Sequence, residues 1–313
     1  MKRKIVDITQ FKKVMVVYNP KSGARLLSVR STIVGAMVSS FHKAVGKIEF
    51  IEERLERFEQ LHEIADKIVR EQVEWVVVAA GDGTLRALVE LLVEDDYRPY
   101  ISIFPAGTVN LVAKELEQVL DADRWVKRIS RGVVTPVWLG KANDRIFLTV
   151  AGIGVDSLVV DNVSEKAKKY LSKFAYVQQG GNLVRQEILL RNWQYKFQVM
   201  IDNDGLWRDA SSVLVAKSRY YAGRFSLVDG SSLSSPKLHV CLFTGHKRID
   251  FLRYVALIMT DMLQLDKTVE IIQAQHVRIK SNVQNFAAEL DGDSLVASPL
   301  EIGLLATPME FIS

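Results

Sequence analysis

The run Trp75-Val76-Val77-Val78-Ala79-Ala80 ends at Gly81-Asp82-Gly83-Thr84 and passes at once into Leu85-Arg86-Ala87-Leu88-Val89-Glu90-Leu91-Leu92. A short, β-branched apolar run reads as a buried strand, and the residues after the glycines recur at helical spacing. A tight loop must therefore join a buried strand to a helix whose N-terminus points back at that loop. Gly81 and Gly83 let a backbone pass close to a bulky ligand without Cβ interference. Backbone N–H groups and the helix dipole then suit a phosphate. Asp82 adds a carboxylate among those donors, which a phosphate site tolerates best with a divalent cation or a hydroxyl also bound. The same residues suit an ordinary strand-to-helix turn, since Gly and Asp are common in turns.

The segments on either side repeat the pattern. Val14–Tyr18 predicts a strand that ends in Asn19-Pro20-Lys21-Ser22-Gly23, where Asn-Pro and Ser-Gly are strong turn signals. A helix is expected over Leu27–Phe41 and a strand over Ile48–Ile51, and Leu55, Phe58, Leu61, Ile64, Ala65 and Ile68 then keep helical spacing. Ile101–Phe104 is the next strand, closed by Pro105-Ala106-Gly107-Thr108-Val109-Asn110, with helical stretches at Leu111–Val119 and Asp123–Ile129. Strand, loop and helix four times over argue for a parallel sheet covered by helices, with ligands outside the carboxyl ends of the strands. Three of those ends carry polar, glycine-containing loops: 19–23, 81–84 and 107–110. Their convergence supports a nucleotide or phosphate site more strongly than any one loop.

Beyond Gly132 the texture changes to short β-rich runs, at Val133–Leu139, Arg145–Val150, Gln194–Ile201, Ser212–Lys217, Leu238–Phe243, Val269–Gln273, Val277–Ser281 and Leu300–Leu305. Turn-rich connections such as Asp202-Asn203-Asp204-Gly205 argue for an antiparallel sandwich or barrel. Helices are expected near Ser164–Val177 and Arg248–Leu265. The division is an α/β domain over 1–134 and a β-rich domain over 135–313, with the last residues free to return to the first domain. A chain of 313 residues suits two cores.

Composition narrows the function. A net charge of +4 is too small to argue for nucleic acid and leaves room for weak attraction to an anionic membrane surface. One cysteine, Cys241 inside an apolar run, forms no internal disulfide and fits a reducing, cytoplasmic setting. The first residues turn polar too soon for a signal peptide, and no apolar run approaches the ~18 residues of a membrane span. The sequence contains neither G-x-x-x-x-G-K-[ST] nor G-x-S-x-G, and no G-x-G-x-x-G opens the first helix. The histidines at 42, 62, 239, 246 and 276 lack metal-ligand spacing. Near the C-terminus, Glu289-Leu290-Asp291-Gly292-Asp293 offers a hairpin turn at Asp-Gly, or two carboxylates able to supply a general base and a polar partner.

Read together, these segments resemble the diacylglycerol kinase and sphingosine kinase family of lipid kinases, in its small bacterial-type group. The matches are Val16-Val17-Tyr18-Asn19-Pro20-Lys21-Ser22-Gly23, Ala80-Gly81-Asp82-Gly83-Thr84 and Pro105-Ala106-Gly107-Thr108-Val109-Asn110-Leu111-Val112-Ala113. Phe147-Leu148-Thr149-Val150-Ala151-Gly152-Ile153-Gly154-Val155-Asp156, Tyr220-Tyr221-Ala222-Gly223 and Asp291-Gly292-Asp293 follow in family order. The resemblance implies a first domain like that of NAD kinases and phosphofructokinases, a β-rich second domain, and a nucleotide in the cleft between them. It implies ATP and Mg²⁺, with Asn19, Ser22 and Gly23 lining the nucleotide site. Gly81, Asp82, Gly83 and Thr84 would hold the phosphates, Asp82 through Mg²⁺, and Gly107, Thr108 and Asn110 would complete the pocket. Asp291 matches the general base that takes the proton of a lipid hydroxyl as it attacks the γ-phosphate.

Four positions depart from the family pattern. Ala80 replaces the first glycine of Gly-Gly-Asp-Gly-Thr, Leu111 stands where many bacterial members have aspartate, and Asp293 stands where glutamate is usual. Lys237 falls in the segment whose acidic residues bind a structural Mg²⁺ in some members, and argues against that second metal. The expected partner is a lipid substrate, with the lysine-rich stretch 164–174 resting on an anionic membrane at the inner face; a homo-oligomer is compatible with the sequence. The alternatives are an NAD kinase-like small-molecule kinase and a lipid- or nucleotide-binding protein that has lost turnover.

Overall fold

The computed structural model describes residues 4–19, 27–154, 196–223, 225–282, 285–297 and 299–313. Ser22, Gly23 and the expected helix near Ser164–Val177 lie outside them. The chain divides into two compact units, Met1–Val137 with Thr307–Ser313, and Trp138–Ala306.

In the first unit, β1 (Lys4–Ile5) and β2 (Lys13–Tyr18) precede α1 (Leu27–Val45), β3 (Glu49–Arg54) and α2 (Gln60–Arg70). Then follow β4 (Trp75–Ala80), α3 (Asp82–Glu94), β5 (Tyr100–Pro105), α4 (Leu111–Glu115), α5 (Ala122–Ile129) and β6 (Val133–Val137). β4 is buried along its whole length and lies between β2 and β5, both parallel to it, with β3 parallel to β2 at the edge. Alternate β4 residues Trp75, Val77 and Ala79 pack with Met37, Phe41 and Val45 of α1 and with Trp125 and Ile129 of α5. Phe41 meets Trp75 edge-on at 5.0 Å and Trp125 at 5.7 Å. The two indole N–H groups find Ser102 Oγ at 3.0 Å and the Ile103 carbonyl at 2.9 Å, so burying them leaves no donor unpaired. α2 buries Leu61, Ile64, Ala65 and Ile68 at the spacing the sequence shows.

The sheet is mixed rather than purely parallel. Its far side holds β6 and the last strand of the chain, Met309–Ile312, which runs parallel to β5 and antiparallel to β6. Val133–Val137 therefore belongs to this sheet and not to the β-rich half where the change of texture placed it. Ser102 Oγ also donates to the Ile312 carbonyl at 2.8 Å, tying the C-terminal strand to the core of the unit.

The second unit stacks two antiparallel sheets. One contains β7 (Gly140–Ala142), β8 (Arg145–Phe147), β10 (Phe197–Ile201), β11 (Arg208–Ala210), β17 (His276–Ser281) and β20 (Leu300–Leu304). The other contains β9 (Val150–Ile153), β12 (Ser212–Ala216), β15 (Leu238–Phe243), β16 (Val269–Ala274), β18 (Phe286–Leu290) and β19 (Asp293–Ala297). Val213, Val215, Val240 and Leu242 of the second sheet and Phe197, Val199, Val277 and Ile279 of the first share one core. A short hairpin joins β13 (Tyr220–Tyr221) to β14 (Phe225–Ser226). The opposite parity of β12 and β15, with Leu214, Cys241 and Phe243, packs under α6 (Arg248–Met259) through Tyr254. The remaining strand, β21 (Met309–Ile312), is the one already placed in the first unit.

Candidate active-site residues

In the first unit the candidate residues gather where β2, β4 and β5 end. Gly81 is the N-cap of α3, and Asp82, Gly83 and Thr84 form its first turn rather than a loop. A helix can start this early because Gly81, in extended conformation, needs no side chain to turn the chain and its carbonyl accepts from Leu85 at 3.1 Å. The loop after β5 is laid over this start. Gly107 N donates to the Ala80 carbonyl at 3.2 Å, and a Cβ built on Gly107 would lie 2.3 Å from Gly81 Cα and 2.5 Å from Asn110 Oδ1. Glycine is thus required at 107 by the approach of two backbones, and a Cβ on Gly81 would sit tightly, 3.3 Å from Gly107 Cα. Gly83 has nothing within 4 Å of where its Cβ would be, which leaves open space over the first turn of α3. The first-turn N–H groups of a helix have no intrahelical partner and carry the positive end of its dipole.

Asp82 ties the start of α3 to the start of α4, and Asn110 braces the loop between β5 and α4. The Asp82 carboxylate accepts from Leu111 N at 2.8 Å and Val112 N at 3.2 Å, so it caps α4. Asn110 stands in the left-handed region (φ 54°), and its Nδ2 donates to the Pro105 and Gly107 carbonyls at 3.0 and 2.8 Å. Its Oδ1 is buried without a hydrogen-bond partner, an acceptor aimed into the loop junction. Asn19 follows β2, with its N–H on the Ala79 carbonyl at 3.3 Å. Thr84 is half-buried and Thr108 exposed. Direct contacts therefore join Gly81 to Gly107, Gly107 to Asn110, and Asp82 to Leu111 and Val112. Asp82 is a single carboxylate, and no group of three or more potential metal ligands occurs among the described residues.

Asp291 lies in the second unit, in a two-residue turn between β18 and β19. Asp291 and Gly292 both have positive φ (52° and 89°), the type I′ hairpin geometry that Asp-Gly favours. The turn also holds its carboxylate in a dense set of donors. Asp291 Oδ1 accepts from Thr149 N at 2.8 Å, Thr149 Oγ1 at 2.5 Å and Val150 N at 3.0 Å, while Oδ2 accepts from Leu148 N at 2.6 Å. Desolvation pushes the carboxyl above its ordinary value, and these four hydrogen bonds pull it back down. Buried Glu289 closes the turn by accepting from Gly292 N at 2.6 Å. Thr149 and Glu289 lie inside the segments already singled out, but nothing in their spacing showed that they would meet the Asp291 turn.

The structure also places two of the departures. Leu111 contributes its N–H to Asp82, a bond any side chain allows. Lys237 donates to Gln273 Oε1 at 2.8 Å. A second lysine escaped sequence reasoning: Lys217 is wholly buried, and its Nζ donates to the Ser232 and Leu233 carbonyls at 2.6 and 3.1 Å. It pins the 228–237 segment with a cation from the chain itself.

Comparison with known proteins bears on the family and the fold. The diacylglycerol kinase catalytic domain model matches residues 13–142, and the YegS C-terminal NAD kinase beta sandwich-like domain model matches residues 149–311. A "Putative lipid kinase" of Streptococcus pneumoniae serotype 4 is 27% identical, across 96% of this chain and 98% of its own. A diacylglycerol kinase of Bacillus subtilis is 24% identical, across 90% of each. A solved diacylglycerol kinase structure from Bacillus anthracis str. Sterne superposes with a TM-score of 0.75 at 21% identity, covering 97% of both chains, a likeness of fold. With two family models taking in nearly all of its residues in this order, the chain belongs to the bacterial-type diacylglycerol kinase family of lipid kinases.

Proposed function

We propose that the protein transfers the γ-phosphate of ATP to a hydroxyl of diacylglycerol or a closely related lipid. The observation that carries this reading is the apposition of Gly81 and Gly107 at the start of α3, which strips side chains from a helix N-terminus. Such a surface cradles polyphosphate through backbone N–H groups. Asn110 holds the Pro105 and Gly107 carbonyls through Nδ2 and so fixes the loop laid over that helix start. Asn19 and Thr84 stand at the same strand ends, with Ser22, Gly23, Gly83 and Thr108 completing the expected contacts.

Asp82 fits Mg²⁺ as one carboxylate beside nucleotide phosphates and water, the usual manner in which this ion is held. Its two oxygens accept from the Leu111 and Val112 N–H groups, which fixes the carboxylate at the start of α3. When bound, the ion would neutralise charge on the transferring phosphoryl group. The protein's own contribution is to fix Asp82 through α4, so that no side-chain ordering remains when the nucleotide arrives.

Asp291 is the proposed general base. Oδ1 is saturated by three donors, whereas Oδ2 has one, so the proton of a lipid hydroxyl would go to Oδ2. Burial raises its proton affinity, which suits a base working against an alcohol. Equilibrium binding of ATP, with and without Mg²⁺, to the wild type and Gly107→Ala tests the first half of this reading. Tight binding by the wild type that the variant loses supports it, and equal binding by both contradicts it.

A further inference from the structure

Among the described residues, exposed large apolar side chains are mostly scattered, but one stretch gathers several. Ile249, Leu252, Met259, Met262 and Leu265 fall within a single stretch, and Leu252 at its centre is 56% exposed. Within α6, Ile249, Leu252, exposed Ala256 and Met259 follow one another at steps of three or four residues, the spacing of one helical face, and Met262 and Leu265 lie in the turn beyond its end. The inner face of α6 is already used, through Tyr254 against Phe243 at 4.8 Å and through Leu257 and Ile258. The outer line is therefore not core.

The charges around the line are sorted by sign. Asp250 pairs with Arg253 at 2.9 Å and accepts from Lys247 N at 2.9 Å. Asp266 pairs with the same arginine at 2.6 Å and accepts from Thr268. Asp261 accepts from Ser226 N at 2.6 Å. All three acids of the stretch are thus bound within the protein. Lys247 and Lys267 stand exposed at its two ends, with no carboxylate partner among the described residues.

We propose that the outer face of α6 and the turn after it seat the protein on an anionic phospholipid bilayer. The exposed apolar side chains of α6 and of the turn after it would sink into the headgroup boundary, and a lysine at each end of the stretch would meet lipid phosphates. The inference rests on the lipid-kinase reading for its purpose, because an acceptor with long acyl chains is held in a bilayer. It uses residues other than the lysine-rich stretch 164–174, which lies outside the described residues. A second copy of the chain suits the face less well, since opposed copies would gain no carboxylates for these lysines.

The test is co-sedimentation of the full chain with vesicles of phosphatidylcholine, alone or mixed with phosphatidylglycerol. Leu252→Glu should lower the partition coefficient at least about tenfold, the equivalent of withdrawing one buried leucine. The double variant Lys247→Glu/Lys267→Glu should lose binding to the anionic vesicles while matching the wild type on phosphatidylcholine alone. Phosphorylation of short-chain diacylglycerol in detergent micelles should be the same for Leu252→Glu and wild type. That arm keeps the two readings apart: a wild type inactive in micelles whose vesicle binding still depends on Leu252 sinks the kinase reading and leaves the surface standing. Vesicle binding by Leu252→Glu equal to wild type overturns the proposal. So does a wild-type dimer that Leu252→Glu dissociates without changing vesicle binding.

Discussion

Replacing Thr149 by valine keeps the volume of a side chain that is 3% exposed and removes one donor from Asp291. The two backbone bonds to Oδ1 and the one to Oδ2 remain. A hydrogen bond to a charged group contributes about 1.5–3 kcal/mol, and one pKa unit corresponds to about 1.4 kcal/mol. Asp291 should therefore hold its proton about one to two pH units higher in Thr149→Val than in the wild type. If Asp291 is the base, it must be ionised to act, so the acid limb of kcat/KM against pH should move up by that amount. The loss at low pH should vanish on the alkaline plateau, and Thr149→Ser should restore the wild-type limb. Linkage gives a second signature. The folded-state value is already above the ordinary 3.8, so folding stability from this group is full below that pH and is lost as pH rises through the folded value. Thr149→Val should deepen that loss, so the gap in melting temperature should be small in acid and grow toward neutrality. An acid limb that stays in place, or a rate loss equal at every pH, would refute the assignment of Asp291 as a base tuned by Thr149.

Other expectations follow from single contacts. Gly107→Ala would force its Cβ against Gly81 Cα, and should cost about 1–3 kcal/mol in denaturant melts. Asp82→Ala leaves two α4 N–H groups without their acceptor and should lower stability by about 1–2 kcal/mol by the same measurement. Lys217→Met removes the charged donor to the Ser232 and Leu233 carbonyls, leaving them the Ser235 and Trp138 N–H groups, and should cost about 1–3 kcal/mol, with hydrogen exchange accelerated over 228–237. Burial pushes the Cys241 thiol up to about 12, so a disulfide reagent at neutral pH should label it only after denaturant is added.

The first unit was legible because its signals are local. A fully buried strand, a glycine turn and an amphipathic helix each occupy contiguous residues, and β4 with α3 matches the pattern that announced them. What escaped depends on distant partners. Nothing within Met309–Ile312 specifies that it slots between β5 and β6, nor that Val133–Val137 pairs there, because a four- or five-residue strand does not name its neighbour. The helical start at Asp82 escaped for the opposite reason: Gly and Asp signal loops strongly, and only the overlying 105–107 backbone shows why the turn is tight. At the candidate site, Asp-Gly was legible both as a hairpin and as a carboxylate with a task, and the geometry accommodates both. The donors that surround it come from residues some 140 positions earlier, beyond any pattern in the turn itself.

The most direct test of the account is transfer of radiolabelled γ-phosphate from ATP to a lipid extract, with the wild type and Asp291→Asn compared side by side. Asparagine would set an N–H group against Leu148 N, so ATP binding by the variant must be measured in the same samples to show that it is folded. The account predicts a labelled lipid from the wild type and, from a variant that still binds ATP, about a hundredfold less or none. Equal labelling by both proteins would remove Asp291 as the base, and no labelled lipid from an ATP-bound wild type would contradict the lipid kinase itself.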